Sequence, residues 1–321
     1  MSDSVHLLIP FAYALSDGCA QAVRSLALPN LEKLLARLAP GERDAGDEWT
    51  LSTPHERVLA RAAGLPVADG LVPWAAWEAK QAGRDPGGEA WARITPCHWR
   101  VGRDHVAMDP PQQLQLDAAA SQALLAAMKP YFEQDGITLD YDAPAQWLAH
   151  GELFRALPVA SLDRVAGRTI DPWMPRTPQA GTVRRLQQEM QMLLYTHEVN
   201  EERTRAGLLP VNSFWVSGTG ALPASVGTPP RGLQMVQDLR EAALLEDWRA
   251  WSAAWQQLDA NECARLHGEL DGGQSVTLTL CGERAAQTWH GDSSGGMARR
   301  IGAAFGNFWN RTKALSVLET L

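Results

Sequence analysis

Apolar positions along the chain follow two periods, and the changes between them mark out the elements. Val5 to Ile9 (VHLLI) is a short apolar run that predicts a first strand, followed by a loop carrying Ser16-Asp17-Gly18. In LPNLEKLLARL, Leu31, Leu34, Leu35 and Leu38 repeat at helical spacing, and Asn30 stands where an N-cap is expected. Pro40 to Glu48 reads as a glycine- and charge-rich loop. Thr53-Pro54-His55-Glu56 predicts a helix start: Thr53 caps, Pro54 takes the first helical position and Glu56 closes a capping box. Gly64 is placed to end that helix. Leu71 to Met108, with Trp74, Trp77, Trp91 and Trp99, reads as short strands and loops. Asp117 or Ser121 caps a helix reaching Phe132, with Pro130 placed to shorten it. Ile137 to Asp142 alternates like a half-buried strand.

Leu157 to Pro178 is rich in turn formers and reads as a crossing between lobes. Val183, Leu186, Met190, Leu193 and Leu194 then repeat as a helical core stripe, the methionines serving as packing. A polar knot (His197, Glu198, Asn200, Glu201, Glu202, Arg203) precedes an apolar strand running into a Ser217-Gly218-Thr219-Gly220 loop. Leu222 to Gly232 is a loop, and Leu233 to Leu258 predicts a long helix with Trp248, Trp251 and Trp255 on one face. Gln274 to Leu280 reads as a strand, and Ala298 to Thr312 as a final amphipathic helix. These elements predict an α/β fold, a mostly parallel sheet flanked by helices. Residues 1–67 and 181–321 are expected to form the core domain, and residues 68–180 an inserted α+β lobe.

At 321 residues there is enough chain for one large domain carrying such a lobe. A formal net charge of −8 argues against nucleic acid as the main partner, although a local basic pocket for a small anion is compatible with it. Cys19, Cys97, Cys263 and Cys281 form no CxxC pair and are expected to be reduced, buried thiols. The N-terminal stretch lacks a basic segment before its short apolar run. No membrane partner and a cytoplasmic location are therefore expected. Thirteen tryptophans is a high count, read here as core packing. Cys97, His98, Asp104 and His105 fit no closed zinc spacing, and Arg100 and Arg103 stand among them.

Candidate chemistry concentrates between Val183 and Leu222. Glycines after a strand let backbone N–H groups approach an anion, and Asn and Arg side chains grip carboxylate or phosphate. His197, Asn200, Arg203, Asn212, Ser217, Gly218 and Gly220 are therefore the candidate contacts to a small phosphorylated or carboxylate ligand. The alternative is a buried polar network that holds a loop.

From about Ser161 to Pro223 the chain resembles the archaeal-type cofactor-independent phosphoglycerate mutases, members of the alkaline phosphatase superfamily. The resemblance rests on SLDRVAGRTIDPWMP, RLQQEMQMLL and THEVNEERTRAGLLPVNSFWVSGTG. In that family a helix ends in a His-Pro-Val-Asn turn with an Arg shortly after, then an Ala-Asn, an apolar strand and Gly-x-Gly. His197, Val199, Asn200, Arg203, Asn212, Gly218 and Gly220 fall on those places, with Glu198 where proline is usual. LPNLEKLL is similar to the family's Pro-Asn-Leu helix. The same motifs resemble a narrower group of bacterial proteins labelled phosphoglycerate mutase or RpfE-type regulatory protein.

The resemblance implies an alkaline-phosphatase-like core and a centre with two divalent metals, Mn or Zn, held by Asp and His beside a Ser or Thr nucleophile. The family's first strand delivers an Asp just past its apolar run; here VHLLI is followed by Pro10-Phe11, and Asp17 comes late. Counting back from Gly64 to the nucleophile position lands on His55, with Ser52 and Thr53 nearby. The late strand SVTLTL is followed by Cys281-Gly282-Glu283-Arg284 instead of an Asp-His pair, and an arginine there would repel metals. No metal set and no catalytic residue are assigned. The expectation is a metal-free relative that binds an anionic ligand or a partner in a regulatory role. The alternatives are an active metal-dependent mutase or phosphatase recruiting Asp17, Ser52, Asp259, His267, His290 and Asp292, and an interaction protein without a small-molecule site.

Overall fold

The chain is described by a computed structural model covering residues 4–225, 232–291 and 314–321. Two compact units emerge: Met1–Glu48, Pro54–Val58 and Pro229–Leu321 form the first, and Trp49–Thr53 with Leu59–Thr228 the second. In chain order the elements begin β1 (Val5–Ile9), α1 (Asp17–Arg24), α2 (Pro29–Arg37), β2 (Ala39–Ala45), α3 (Pro54–Ala62) and α4 (Trp74–Gln81). There follow β3 (Ala90–Cys97), β4 (Trp99–Val101), β5 (Val106–Met108), α5 (Ala118–Gln134), β6 (Thr138–Ala143), β7 (Gln146–His150) and α6 (Leu162–Val165). Next come α7 (Ala180–Tyr195), α8 (Glu198–Arg205), β8 (Ser213–Ala221), β9 (Leu233–Met235), α9 (Arg240–Leu244) and α10 (Trp248–Leu258). The last are α11 (Ala264–Asp271), β10 (Val276–Cys281), β11 (Ala285–Gly291) and α12 (Ala314–Leu318). No described helix is long and apolar enough to cross a membrane.

The first unit is built on β1. It lies between β9 and β10 with both pairings parallel, and antiparallel β11 and β2 extend the sheet to the order β2-β11-β10-β1-β9. Alternation sends Leu7, Ile9, Val276, Leu278 and Leu280 to one face. That face forms a single apolar core with Val23, Leu31, Leu34, Trp251, Trp255 and Leu266 from α1, α2, α10 and α11. All four cysteines are free and buried.

The second unit is an antiparallel sheet in the order β6-β7-β3-β8, covered on both faces. On β3, Ala90, Ala92 and Ile94 join a core with Leu124 and Met128 of α5 and Val183, Leu186 and Met190 of α7. Trp91, from the opposite face of the same strand, packs with Trp74, Ala75 and Ala79 of α4.

Several expectations change. Residues 181–222 were expected in the core domain with residues 1–67; β8 instead pairs along β3, from Ala90↔Ala221 to Cys97↔Ser213, and so belongs to the second unit. Pro40 to Glu48 is largely strand, because β2 pairs with β11 as a charged, exposed edge. The long helix over Leu233–Leu258 is β9, α9 and α10 in succession, and α4 and β11 are elements that the apolar pattern did not predict. Pro130 stays inside α5, which runs on to Gln134. The helix expected over Ala298–Thr312 lies outside the described residues.

Asn30 is not the N-cap of α2. The helix opens on Pro29, and its first N–H groups are taken by a carboxylate more than two hundred residues away in the sequence. Asp259 Oδ1 accepts from Leu31 N at 2.7 Å, and Oδ2 accepts from Asn30 N at 3.2 Å. Asp259 opens a one-turn π-helix, Asp259–Cys263, between α10 and α11, and that wider turn places the buried carboxylate at the α2 terminus.

The other face of the first sheet carries a row of polar side chains. His6 Nε2 shares a hydrogen bond with Thr279 Oγ1 at 2.9 Å, Thr279 with Thr288 at 2.9 Å, and His290 Nδ1 with Thr277 at 3.1 Å. Burial, then the nearby His290, lowers the pKa of His6 from 6.5 to about 4. The unfolded chain therefore takes up this proton first as pH falls. Stability is fully present above about pH 6.5 and drains away down to about pH 4, by roughly 3 kcal/mol at most. We expect His6→Gln to flatten the fall in urea midpoint between pH 7 and pH 4.5. An unchanged slope in the variant would show that other groups carry the acid sensitivity.

Candidate functional site

The candidate residues occupy the α7–α8–β8 corner of the second unit. α7 buries Val183, Leu186, Met190 and Leu194, so Met190 is packing, whereas Met192, expected to pack as well, is exposed on the helix's outer face. The polar knot that follows is itself a helix, α8. His197 is its N-cap, accepting the Val199 N–H on Nδ1 at 3.2 Å, which leaves the neutral ring's proton on Nε2. Amphipathic periodicity is absent from α8 because the helix is short and almost wholly polar.

Asn200 ties this corner together. Its Nδ2 donates to the Leu194 carbonyl at 2.8 Å and the Val211 carbonyl at 2.7 Å, while Oδ1 accepts the Val211 N–H at 2.9 Å. The side chain thus joins the end of α7 to the residues leading into β8. Asn212 does the same for the β3–β4 turn: Oδ1 accepts the Trp99 N–H at 2.7 Å and Nδ2 donates to the Trp99 carbonyl at 2.9 Å. Arg203, one turn after Asn200, is buried. Its Nε donates to the Leu209 carbonyl at 2.9 Å and its Nη2 to the Leu114 carbonyl.

Ser217, Gly218 and Gly220 lie within β8 and not in a loop beyond it. Ser217 is buried opposite Arg93. Gly218 has φ +63°, and a Cβ there would stand 3.1 Å from Trp74 Cβ and 3.3 Å from Ala75 N. Gly220 has φ +134°, with Pro73 Cβ at 3.1 Å. Both glycines let the strand pass close under the first turn of α4. The structure therefore gathers His197, Asn200 and Arg203 on α8, while the side chain of Asn212 and the glycine pair serve other contacts. The main-chain carbonyl of Leu114 went unnoticed in the sequence, since a carbonyl acceptor leaves no residue-type signal.

At the carboxyl edge of the first sheet, where ligands of open α/β sheets bind, β1 ends in Pro10-Phe11. Phe11 adopts φ +58°, a left-handed conformation that is rare for a bulky residue. Trp251 Nε1 donates to its carbonyl at 2.9 Å and Trp255 Nε1 to that of Ala12 at 3.3 Å. The Phe11 ring packs on His55, at the start of α3, with centroids 5.4 Å apart. Arg284 pairs with Glu48 at 3.5 Å.

Most of the residues considered as recruits for metal or nucleophile are engaged in other contacts, and Asp259 and His267 both meet Asn30. Asp17 is the first residue of α1, and Ser52 Oγ accepts the Gly70 N–H at 2.9 Å. Asp259 caps α2. His267 bonds the Asn30 carbonyl at 3.1 Å and Arg37 at 3.2 Å, and its pKa is lowered chiefly by burial. His290 bonds Thr277, and Asp292 lies outside the described residues. Among the described residues no three His, Cys, Asp or Glu side chains converge as a metal-holding group. His98 Nδ1 meets the Pro210 carbonyl at 2.7 Å, and burial drives the pKa of the Cys97 thiol far upward.

Asn200→Ala would strand the Val211 carbonyl and N–H inside the protein and take one partner from the Leu194 carbonyl, and should cost about 2–3 kcal/mol. Gly218→Ala adds left-handed strain and a tight contact with α4, for about 1–3 kcal/mol. Denaturant unfolding measures both. A loss below about 0.5 kcal/mol for Asn200→Ala would mean that the corner holds without its tie.

No family model matches the chain, and no curated protein matches it in sequence. Solved structures similar to it include the following two. The cofactor-independent phosphoglycerate mutase from Thermoplasma acidophilum DSM 1728 is 16% identical with a TM-score of 0.36, covering 92% of this chain and 90% of that one. The PH0037 protein from Pyrococcus horikoshii is 11% identical with a TM-score of 0.43, covering 91% of this chain and 87% of that one.

Proposed function

We propose that this is a phosphoglycerate-mutase-like protein that has lost its two-metal site and binds a small anionic ligand, or a protein partner, in a regulatory role. The reading includes an alkaline-phosphatase-like core with an inserted α+β lobe, working in the cytoplasm. The observation that carries it is the contact between Phe11 and His55. By the sequence resemblance, the first belongs where a metal-binding Asp should follow β1, and the second falls at the nucleophile position.

Phosphoryl transfer through such a centre needs cations to neutralise the moving group and a hydroxyl to receive it. A phenyl ring offers no ligand, and an imidazole packed against it is not the hydroxyl nucleophile of the family. Phe11 is also fixed in place, because two buried indoles hold the carbonyls of residues 11 and 12. The engagement of Ser52, Asp259 and His267 in structural hydrogen bonds supports the same reading.

The test is metal content of the purified full chain, followed by a coupled assay interconverting 2- and 3-phosphoglycerate with added Mn²⁺. We expect substoichiometric metal and no turnover above background. Stoichiometric Mn or Zn accompanied by turnover would falsify the proposal.

A further inference from the structure

Resting on the ligand-binding part of that reading, we infer that Arg203 anchors a small phosphate- or carboxylate-bearing ligand where α8 meets the turn at Leu114–Asp117. A guanidinium carries five N–H donors and a full positive charge. Arg203 is 4% exposed, yet its two hydrogen bonds are to neutral carbonyls, those of Leu209 and Leu114. Among the described residues no carboxylate comes within ion-pair distance of it. The contrast with other arginines is direct: Arg57, similarly buried, pairs with Asp44, and Arg93 pairs with Glu78. A buried charge without a counter-ion is costly, and carbonyl dipoles offset only part of that cost.

Burial lowers the pKa of Arg203, and the opposing influence is Asp117. That carboxylate is already engaged, accepting the Ala120 N–H at 2.8 Å as the N-cap of α5. It acts on Arg203 from a distance, so it would compete electrostatically with an incoming anion. The turn is also strained. Gln115, directly after the carbonyl that Arg203 holds, has φ +48° in a residue other than glycine. Strain of this kind persists where surrounding contacts hold it, and is common at ligand clamps. A phosphomonoester or carboxylate would supply the missing charge and accept the remaining N–H groups as a fork.

Binding of 3-phosphoglycerate and of inorganic phosphate to the full chain, by calorimetry at fixed ionic strength, tests this. We expect saturable binding by the parent, at least tenfold weakening in Arg203→Lys, which keeps charge but loses the fork, and at least threefold tightening in Asp117→Asn. Asparagine caps a helix as aspartate does, so the second variant decides the matter if the first does not fold. No binding by the parent at 10 mM, or parent-like affinity in Asp117→Asn or in folded Arg203→Lys, would overturn the placement. Those failures leave the metal-free reading standing, whereas mutase turnover with bound Mn would sink that reading whatever the calorimetry gives.

Discussion

Two indole N–H groups set the course of the chain where it leaves β1. Trp251 and Trp255 stand one turn apart on the buried face of α10, and donate to the carbonyls of Phe11 and Ala12. Phe11 would not hold φ +58° unaided, since a side chain in that region meets its own backbone. The same tryptophans fill the core beneath β1, so apolar packing and the strained turn depend on one helix. Because the turn sends the Phe11 ring onto His55, the chemistry available at the sheet's carboxyl edge follows from how α10 is seated.

A second long-range tie completes that arrangement. α10 does not stop cleanly; it widens into the π-turn at Asp259 before continuing as α11. Asp259 opens that turn, and its carboxylate meets the start of α2, where it replaces a local cap. A buried carboxylate is tolerated there because backbone N–H groups and the positive helix end receive it. Strand, turn and both helices are therefore coupled through α10, which links residues near position 11 to residues near position 260.

The parts of the fold legible in the sequence are those set by local periodicity. β1, α3, α5, β6, α7 and β10 follow from alternation, helical stripes and caps such as Asp117. Elements whose shape depends on distant partners were not legible. β2 is polar and holds a proline, and is a strand only because β11 offers it an edge. α2 carries a plausible cap at Asn30, but the true one is Asp259. The glycines at 218 and 220 have the composition of an anion loop, yet their conformations answer to α4 lying above them. The apolar run of β8 gave no hint that it pairs with β3 and so belongs to the second unit.

A buried polar residue reads alike in sequence whether it scaffolds a loop or awaits a ligand. Hydrogen-bonding capacity separates the two. Asn200 and Asn212 each place both their carbonyl and their amide on backbone, and so explain themselves. Arg203 does not reach that balance, because two carbonyl bonds satisfy geometry but leave a unit of charge without an opposite one within ion-pair distance. Removing either asparagine should weaken the fold and leave electrostatics untouched, whereas the arginine adds a positive potential that Asp117 opposes only from a distance. Within one corner, the two asparagines therefore account for the architecture, and Arg203 is the side chain to which the proposed ligand would have something left to contribute.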